Sequence, residues 1–253
     1  MKRILLYCIS LVFVLGACSL IKSPSKDSKK TIEAPIEAEL PELTLKEQIA
    51  TYAAVAREKI PEAAKQTMIS ATDKLRKSNM SSDFLKVGDE APDFDLDSLD
   101  GTEYDLHDLL KKGPVVISFY RGGWCPYCNL ELRALNKIYP EIKAKGAELI
   151  AISPEMPDRA SVTANKNTLA FPLLYDRKAK VADEYNLVFE LDDSLKPIYK
   201  SFGIDLEQVN GDDDWELPVP ATYVVGQDRK IKFAFADVDY KNRAEPADIL
   251  EML

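Results

Sequence analysis

Residues 115–135, VVISFYRGGWCPYCNLELRAL, decide the fold. The opening VVISFY is apolar almost throughout and β-branched at its start, as a strand buried on both faces requires. RGGW comes next as a tight turn with two glycines. From Pro126 onward Leu130, Ala134, Ile138 and Ile142 recur at a helical period, and proline is tolerated in a helix's first turn. Cys125 and Cys128 therefore fall where a buried strand ends and a helix begins. Amide N–H groups and the helix dipole favour a thiolate at such a place. The order strand, Cys-x-x-Cys, helix predicts redox thiol chemistry.

Working outward, Asp100-Gly101 is a hairpin signal between alternating segments that come after Ala91-Pro92-Asp93-Phe94. Beyond Gly146, residues 147–152 read as a second buried strand, 158–167 as a helix, 171–175 as a short strand and 178–185 as a helix. Residues 186–217 read as irregular, and 219–225 with 230–236 form a final hairpin across 226–229. This predicts an α/β domain over 81–253 of the thioredoxin type, a mixed sheet flanked by helices. Ahead of it, residues 44–80 read as a helical extension. Thr44-x-x-Glu47 is a capping box, and Leu45, Ile49, Tyr52, Ala56 and Ile60 share one face. After Pro61, Ala64, Met68, Ala71 and Leu75 repeat the spacing. The expectation is that this pair packs on the α/β domain, with a recognition arm as the alternative.

The chain has 253 residues, 46% of them hydrophobic and 30% charged, enough for one sizeable core with extensions. A net charge of −9 gives no basic footprint for nucleic acid. Lys2 and Arg3 precede an apolar run over 4–15, shorter than the ~20 residues of a spanning helix. The run ends in Leu15-Gly16-Ala17-Cys18, which looks like a bacterial lipobox. The expectation is an exported lipoprotein, anchored in a membrane and facing the periplasm or the cell exterior. Residues 1–17 would be its signal peptide, Cys18 its lipidated N-terminus, and 18–43 a flexible tether rich in Lys, Ser, Pro and Glu. Cys8 leaves with the signal, so Cys125 and Cys128 remain as the thiols.

KVGDEAPDF (86–94), FYRGGWCPYCNLEL (119–132), AISP (151–154), FPLLYD (171–176) and PATYVV (220–225) resemble the peroxiredoxin superfamily, also called the alkyl hydroperoxide reductase/thiol-specific antioxidant family. The RGGWCPYC motif is similar to that of its bacterial peroxiredoxin-like branch. The resemblance implies a thioredoxin fold and a Pro-x-x-x-Thr/Ser-x-x-Cys active loop whose last cysteine attacks peroxide. On that pattern Cys128 is the peroxidatic position, Cys125 stands in place of threonine, and Arg121 in place of proline. The family's supporting arginine lies just before the late strand, where this chain has Pro220. A proline there is instead the mark of thioredoxin-like dithiol oxidoreductases, in which it faces the Cys-x-x-Cys.

The expected chemistry is that of a thiol-dependent peroxidase, with a thiol-disulfide oxidoreductase as the alternative. As a thiol-dependent peroxidase, Cys128 attacks hydrogen peroxide or an organic hydroperoxide, Arg121 supports the developing charge and Cys125 resolves the sulfenate. A thioredoxin-like donor then reduces the disulfide. As a thiol-disulfide oxidoreductase acting on exported proteins, Cys125 attacks first, Cys128 resolves, and Trp124 with Pro220 shapes the partner groove. Neither needs a cofactor. His107, the single histidine, reads as a solvent-facing residue at a helix start, which leaves no Ser-His-Asp or Cys-His catalytic pair. A copper-carrying module wants a histidine downstream of the cysteines, and the chain has none after Cys128. Asp212-Asp213-Asp214 lacks the spaced ligands of a calcium loop and reads as solvated.

Overall fold

The computed structural model describes residues 43–253. The expectations for the signal peptide, for Cys18 and for nearly all of the tether lie outside the described residues. Helix α1 (Leu45–Lys59) opens with the predicted capping box: the Glu47 amide donates to Thr44 Oγ1 at 3.2 Å, and the Thr44 amide to the Glu47 carboxylate at 2.8 Å. Pro61 is the N-cap of α2 (Glu62–Lys77). The Asp100-Gly101 turn joins β1 (Asp95–Asp97) to β2 (Glu103–Asp105), which leads into α3 (Leu106–Leu110) with exposed His107.

The central elements are β3 (Val115–Phe119), α4 (Pro126–Ala144), β4 (Glu148–Ser153), α5 (Pro157–Asn167), β5 (Leu173–Tyr175) and α6 (Lys180–Glu184). Then come β6 (Val188–Glu190), α7 (Lys196–Ser201), α8 (Leu206–Asn210), β7 (Glu216–Pro218), β8 (Ala221–Val225), β9 (Ile231–Ala236) and α9 (Pro246–Glu251). Five strands form one mixed sheet in the order β5-β4-β3-β8-β9, with β3 parallel to β4 and antiparallel to β8.

Every residue of β3 is buried, as its apolar run demanded. Val115, Ile117 and Phe119 face a core closed by Leu106, Leu110, Tyr185 and Tyr223; Val116 and Tyr120 face Leu132, Leu135 and Ile142 of α4. Burying each such side chain is worth about 1.5–3 kcal/mol against leaving it in water. Phe119 pairs with Ile152 on one side and Ala221 on the other. The register therefore brings the RGGW turn and Pro220 to the same end of the sheet.

Residues 186–217 correct the sequence reading. They are not irregular: β6 pairs antiparallel with β7, and with α7 and α8 they enclose a small core of Leu191, Leu195, Tyr199, Leu206, Trp215 and Leu217. Strands of three residues and helices of six or fewer are too short for a period to register in the sequence. The strand read at 171–175 begins at Leu173, and the helix read at 178–185 begins at Lys180.

The helical pair does pack on the α/β domain. Leu45 and Ile49 bury against Ala134, Tyr127 and Leu130, and Tyr52 stands edge-on to Tyr127 with ring centroids 5.3 Å apart. Glu245 accepts from the Leu45 and Lys46 amides at 3.2 and 2.7 Å, taking up free N–H groups of α1. Met68 and Ala71 of α2 rest on the small core, flanked by Lys74–Asp192 and Arg76–Asp239 ion pairs. Among the described residues no helix is long and apolar enough to cross a membrane.

Candidate redox site

The turn between β3 and α4 is held by close approach. Gly122 has φ +136°, and a Cβ on Gly123 would collide with the Thr163 hydroxyl. The Gly123 amide donates to both carboxylate oxygens of Glu155 at 3.0 Å, and the Thr163 hydroxyl donates to the same group at 3.1 Å. Burial pushes the Glu155 carboxyl above its ordinary range. Asn129 donates to the carbonyls of Gly123 (2.7 Å) and Cys125 (3.0 Å) and accepts from Asn167 (2.6 Å). The turn is thus fixed from α4 and α5 before any substrate arrives.

Cys125 is the N-cap of α4 and Cys128 lies in its first turn; both are free thiols and both are buried. Of the two, only Cys125 meets a cavity of about 440 Å³. Its walls include Trp124, Tyr127, Tyr199 and Tyr240 from the domain, and Tyr52 and Met68 from the helical pair. Cys128 sits behind its partner.

The two sulfurs are not equivalent. Burial pushes the Cys125 thiol up, but it is outweighed by the hydrogen bond from the Cys128 thiol, by the charges of Arg121 and Arg243, and by the Cys128 amide, which bring it down to about 5. Burial, and the hydrogen bond it gives to Cys125, push Cys128 well above an ordinary thiol. Of the two, the surroundings of Cys125 favour the thiolate and those of Cys128 the thiol.

Two buried guanidiniums flank the pair. Arg121 is only 2% exposed. It donates to the Tyr199 hydroxyl at 2.6 Å and lies 4.7 Å and 4.6 Å from the ring centroids of Trp124 and Tyr240. Arg243, from the segment after β9, places Nη2 3.5 Å from Cys128 Sγ and donates to the Tyr240 carbonyl through Nε and Nη2 at 2.9 and 2.7 Å. Its Nη1 is paired with Glu131, which also accepts from the Thr222 hydroxyl at 3.3 Å. Burial raises the Glu131 carboxyl even against that pairing.

Of the residues singled out in the sequence, Cys125, Cys128, Arg121 and Trp124 come together here. Pro220 precedes Ala221 at this end of the sheet, but the cavity walls do not include it. Sequence reasoning missed Arg243, Glu131, Tyr199 and Tyr240. Glu131 had a legible signal, a carboxylate one helical turn from Cys128 on the inward face of α4. Arg243 had none, since it lies outside every motif. Among the described residues no cluster of three or more His, Cys, Asp or Glu could hold a metal ion.

Known proteins share this architecture. The thiol-disulfide oxidoreductase ResA of Bacillus anthracis is 34% identical over 134 residues, which is 51% of this chain and 72% of that protein. ResA of Geobacillus kaustophilus is 39% identical over 105 residues, 41% of this chain and 59% of the relative. Among solved structures, peroxidoxin BcpB of Mycobacterium tuberculosis superposes with a TM-score of 0.52 at 23% identity, covering 66% of this chain and 96% of that one. AhpC of Mycobacterium tuberculosis gives 0.51 at 16% identity, covering 67% and 91%. These likenesses establish the thioredoxin-like fold. The AhpC/TSA family profile matches residues 87–234, from just before β1 into β9 and across both cysteines. By that match the chain belongs to the AhpC/TSA family, whose members carry the peroxiredoxin-like form of the thioredoxin fold.

Proposed function

We propose that this family member is a thiol-disulfide oxidoreductase in which Cys125 attacks and Cys128 resolves. One observation carries the reading: of the two thiols, only Cys125 meets the cavity, and its surroundings favour the thiolate there. The Cys125 thiolate attacks a substrate disulfide, forming a mixed disulfide and releasing one substrate thiolate. The Cys125 charge is thereby lost, and with it the hydrogen bond that kept the proton on Cys128. Cys128, facing the Arg243 guanidinium, gives up that proton and attacks Cys125 Sγ, releasing the second substrate thiolate and leaving the Cys125–Cys128 disulfide. The name carried by the Bacillus and Geobacillus relatives supports this reading. In stopped-flow assays with a peptide disulfide, Cys125→Ser is expected to abolish exchange and Cys128→Ser to accumulate mixed disulfide. Mixed disulfide formed by Cys125→Ser instead would reverse the roles.

A second reading is thiol-dependent reduction of hydrogen peroxide or organic hydroperoxides, with Cys128 attacking, Cys125 resolving, Arg121 supporting charge and a thioredoxin-like donor closing the cycle. The guanidinium 3.5 Å from Cys128 Sγ, at the position the family pattern makes peroxidatic, favours it. Peroxide consumption far faster than that of a free thiol, lost in Cys128→Ser and accompanied by sulfenate in Cys125→Ser, would select this reading. The lipobox supports export and anchoring through lipid on Cys18. Incorporation of labelled fatty acid into the expressed chain, abolished by Cys18→Ser, is the expected outcome.

A further inference from the structure

Resting on the thiol-exchange reading, whose steps run in either direction, we propose that the equilibrium favours the reverse of the steps above: the Cys125–Cys128 pair is poised as an oxidant, handing its disulfide to substrate dithiols. Charge balance around the pair is the reason. Arg121 is buried in an aromatic cage, with one hydrogen bond to a neutral phenol, and among the described residues no carboxylate forms an ion pair with it. Its Nε has no hydrogen-bond partner there. Arg243 differs, because Glu131 neutralises it. The negative charge nearest in kind to what Arg121 lacks is the sulfur of Cys125, which lines the same cavity at the head of the 19-residue helix α4.

In the reduced chain the Cys125 thiolate balances the buried cation and the helix N-terminus. In the disulfide that charge is gone and Arg121 stands without an ion-pair partner, a costly arrangement for a buried ion. The fold therefore stabilises the dithiol over the disulfide. A pair whose reduced form is stabilised in this way is a strong oxidant.

A substrate thiolate attacks Cys125 Sγ of the disulfide; the Cys125–Cys128 bond breaks, and its electron pair goes to Cys128, which takes a proton. The second substrate thiolate then attacks the substrate sulfur of the mixed disulfide, and Cys125 departs as a thiolate. The substrate dithiol loses two electrons and two protons. The pair gains two electrons and one proton, and the other proton passes to solvent. Stabilisation of the departing thiolate by Arg121 and by the Cys128 thiol makes Cys125 a good leaving group.

The test is equilibration of the full-length chain with mixtures of reduced and oxidised glutathione, then acid quench, thiol alkylation and the mass of the peptide carrying Cys125 and Cys128. The pair is expected to be reduced by a thiol excess at least 100-fold weaker than thioredoxin needs under the same conditions. A requirement equal to or greater than that of thioredoxin would overturn the inference. The wild-type chain supplies an independent readout, because oxidation of a thiolate–thiol pair by glutathione disulfide consumes one proton. The oxidised-to-reduced ratio is expected to fall about tenfold per pH unit between pH 6 and 8; a flat profile would also overturn the inference. Arg121→Met is expected to shift the equilibrium at least tenfold toward the disulfide, and Arg121→Lys to restore most of it. No exchange with glutathione at all would instead sink the thiol-exchange reading itself. Fast exchange with an equilibrium on the disulfide side would remove this inference alone.

Discussion

The two buried arginines beside one dithiol are housed differently. Arg121 lies among Trp124, Tyr199 and Tyr240, where ring faces and a phenol stand in for an anion, and its wall opens on the cavity. Arg243 is locked against Glu131, Thr222 lies beyond it, and its contact with the pair is with the inner sulfur, Cys128. One site holds a cation with no carboxylate paired to it among the described residues; the other is an ion pair complete in itself. The difference teaches that two like charges beside two like atoms can serve separate ends. Arg121 lines the same cavity as Cys125. Arg243 joins the segment after β9 to α4 and contacts Cys128.

Breaking the closed pair is expected to have the largest effect on stability. Arg243→Met leaves Glu131 buried without its partner and should cost about 3–5 kcal/mol in urea unfolding. Adding Glu131→Gln should recover much of that loss; no recovery would mean that Arg243 acts through packing alone.

Opening the aromatic site should show next, and in titration more than in folding. In Arg121→Met the midpoint for alkylation of Cys125 should rise from about 5 by about 1–3 units. The linked effect on folding has a definite sign. The folded Cys125 value lies below the unfolded one of about 8.5, so its contribution is present in full above that pH and is lost as pH falls through about 5. The stability gained by reduction, relative to the disulfide form, should therefore shrink between pH 9 and 5 in the wild type, and shrink less in Arg121→Met.

Tyr199→Phe removes the phenol that accepts from Arg121 at 2.6 Å and should cost about 1.5–3 kcal/mol, by the same unfolding measurement. The smallest change expected is at the rim. Lys74→Ala breaks an exposed ion pair with Asp192 and should alter stability by no more than about 1 kcal/mol. A larger loss would show that the helical pair depends on its surface charges as well as on its apolar face.

The helical pair and the 186–217 segment show where sequence reading succeeds and where it stops. The capping box of Thr44 and Glu47 and the face bearing Leu45 and Ile49 were legible because both are local patterns spanning three or four residues. That Tyr52 and Met68 then wall the cavity over Cys125 was not legible, because it depends on how α1 and α2 lie across α4. The short strands β6 and β7 escaped notice because their partners are some 28 residues away, Val188 against Pro218 and Glu190 against Glu216, and three residues carry no period.

The sequence by itself determined the buried strand, the glycine turn, the Cys-x-x-Cys and the helix that carries it, since each is written in neighbouring residues. It also made Arg121 and Trp124 parts of the site, because both belong to the same turn. Only the tertiary structure made the surroundings of the two sulfurs differ. It brings Arg243 from the end of the chain to Cys128, buries both thiols, and closes aromatic rings from Tyr199 and Tyr240 around Arg121. The physical reason is range. Helical and strand periods are set by nearest neighbours, whereas the field at a buried sulfur is summed over every charge the fold brings near, whatever its place in the sequence.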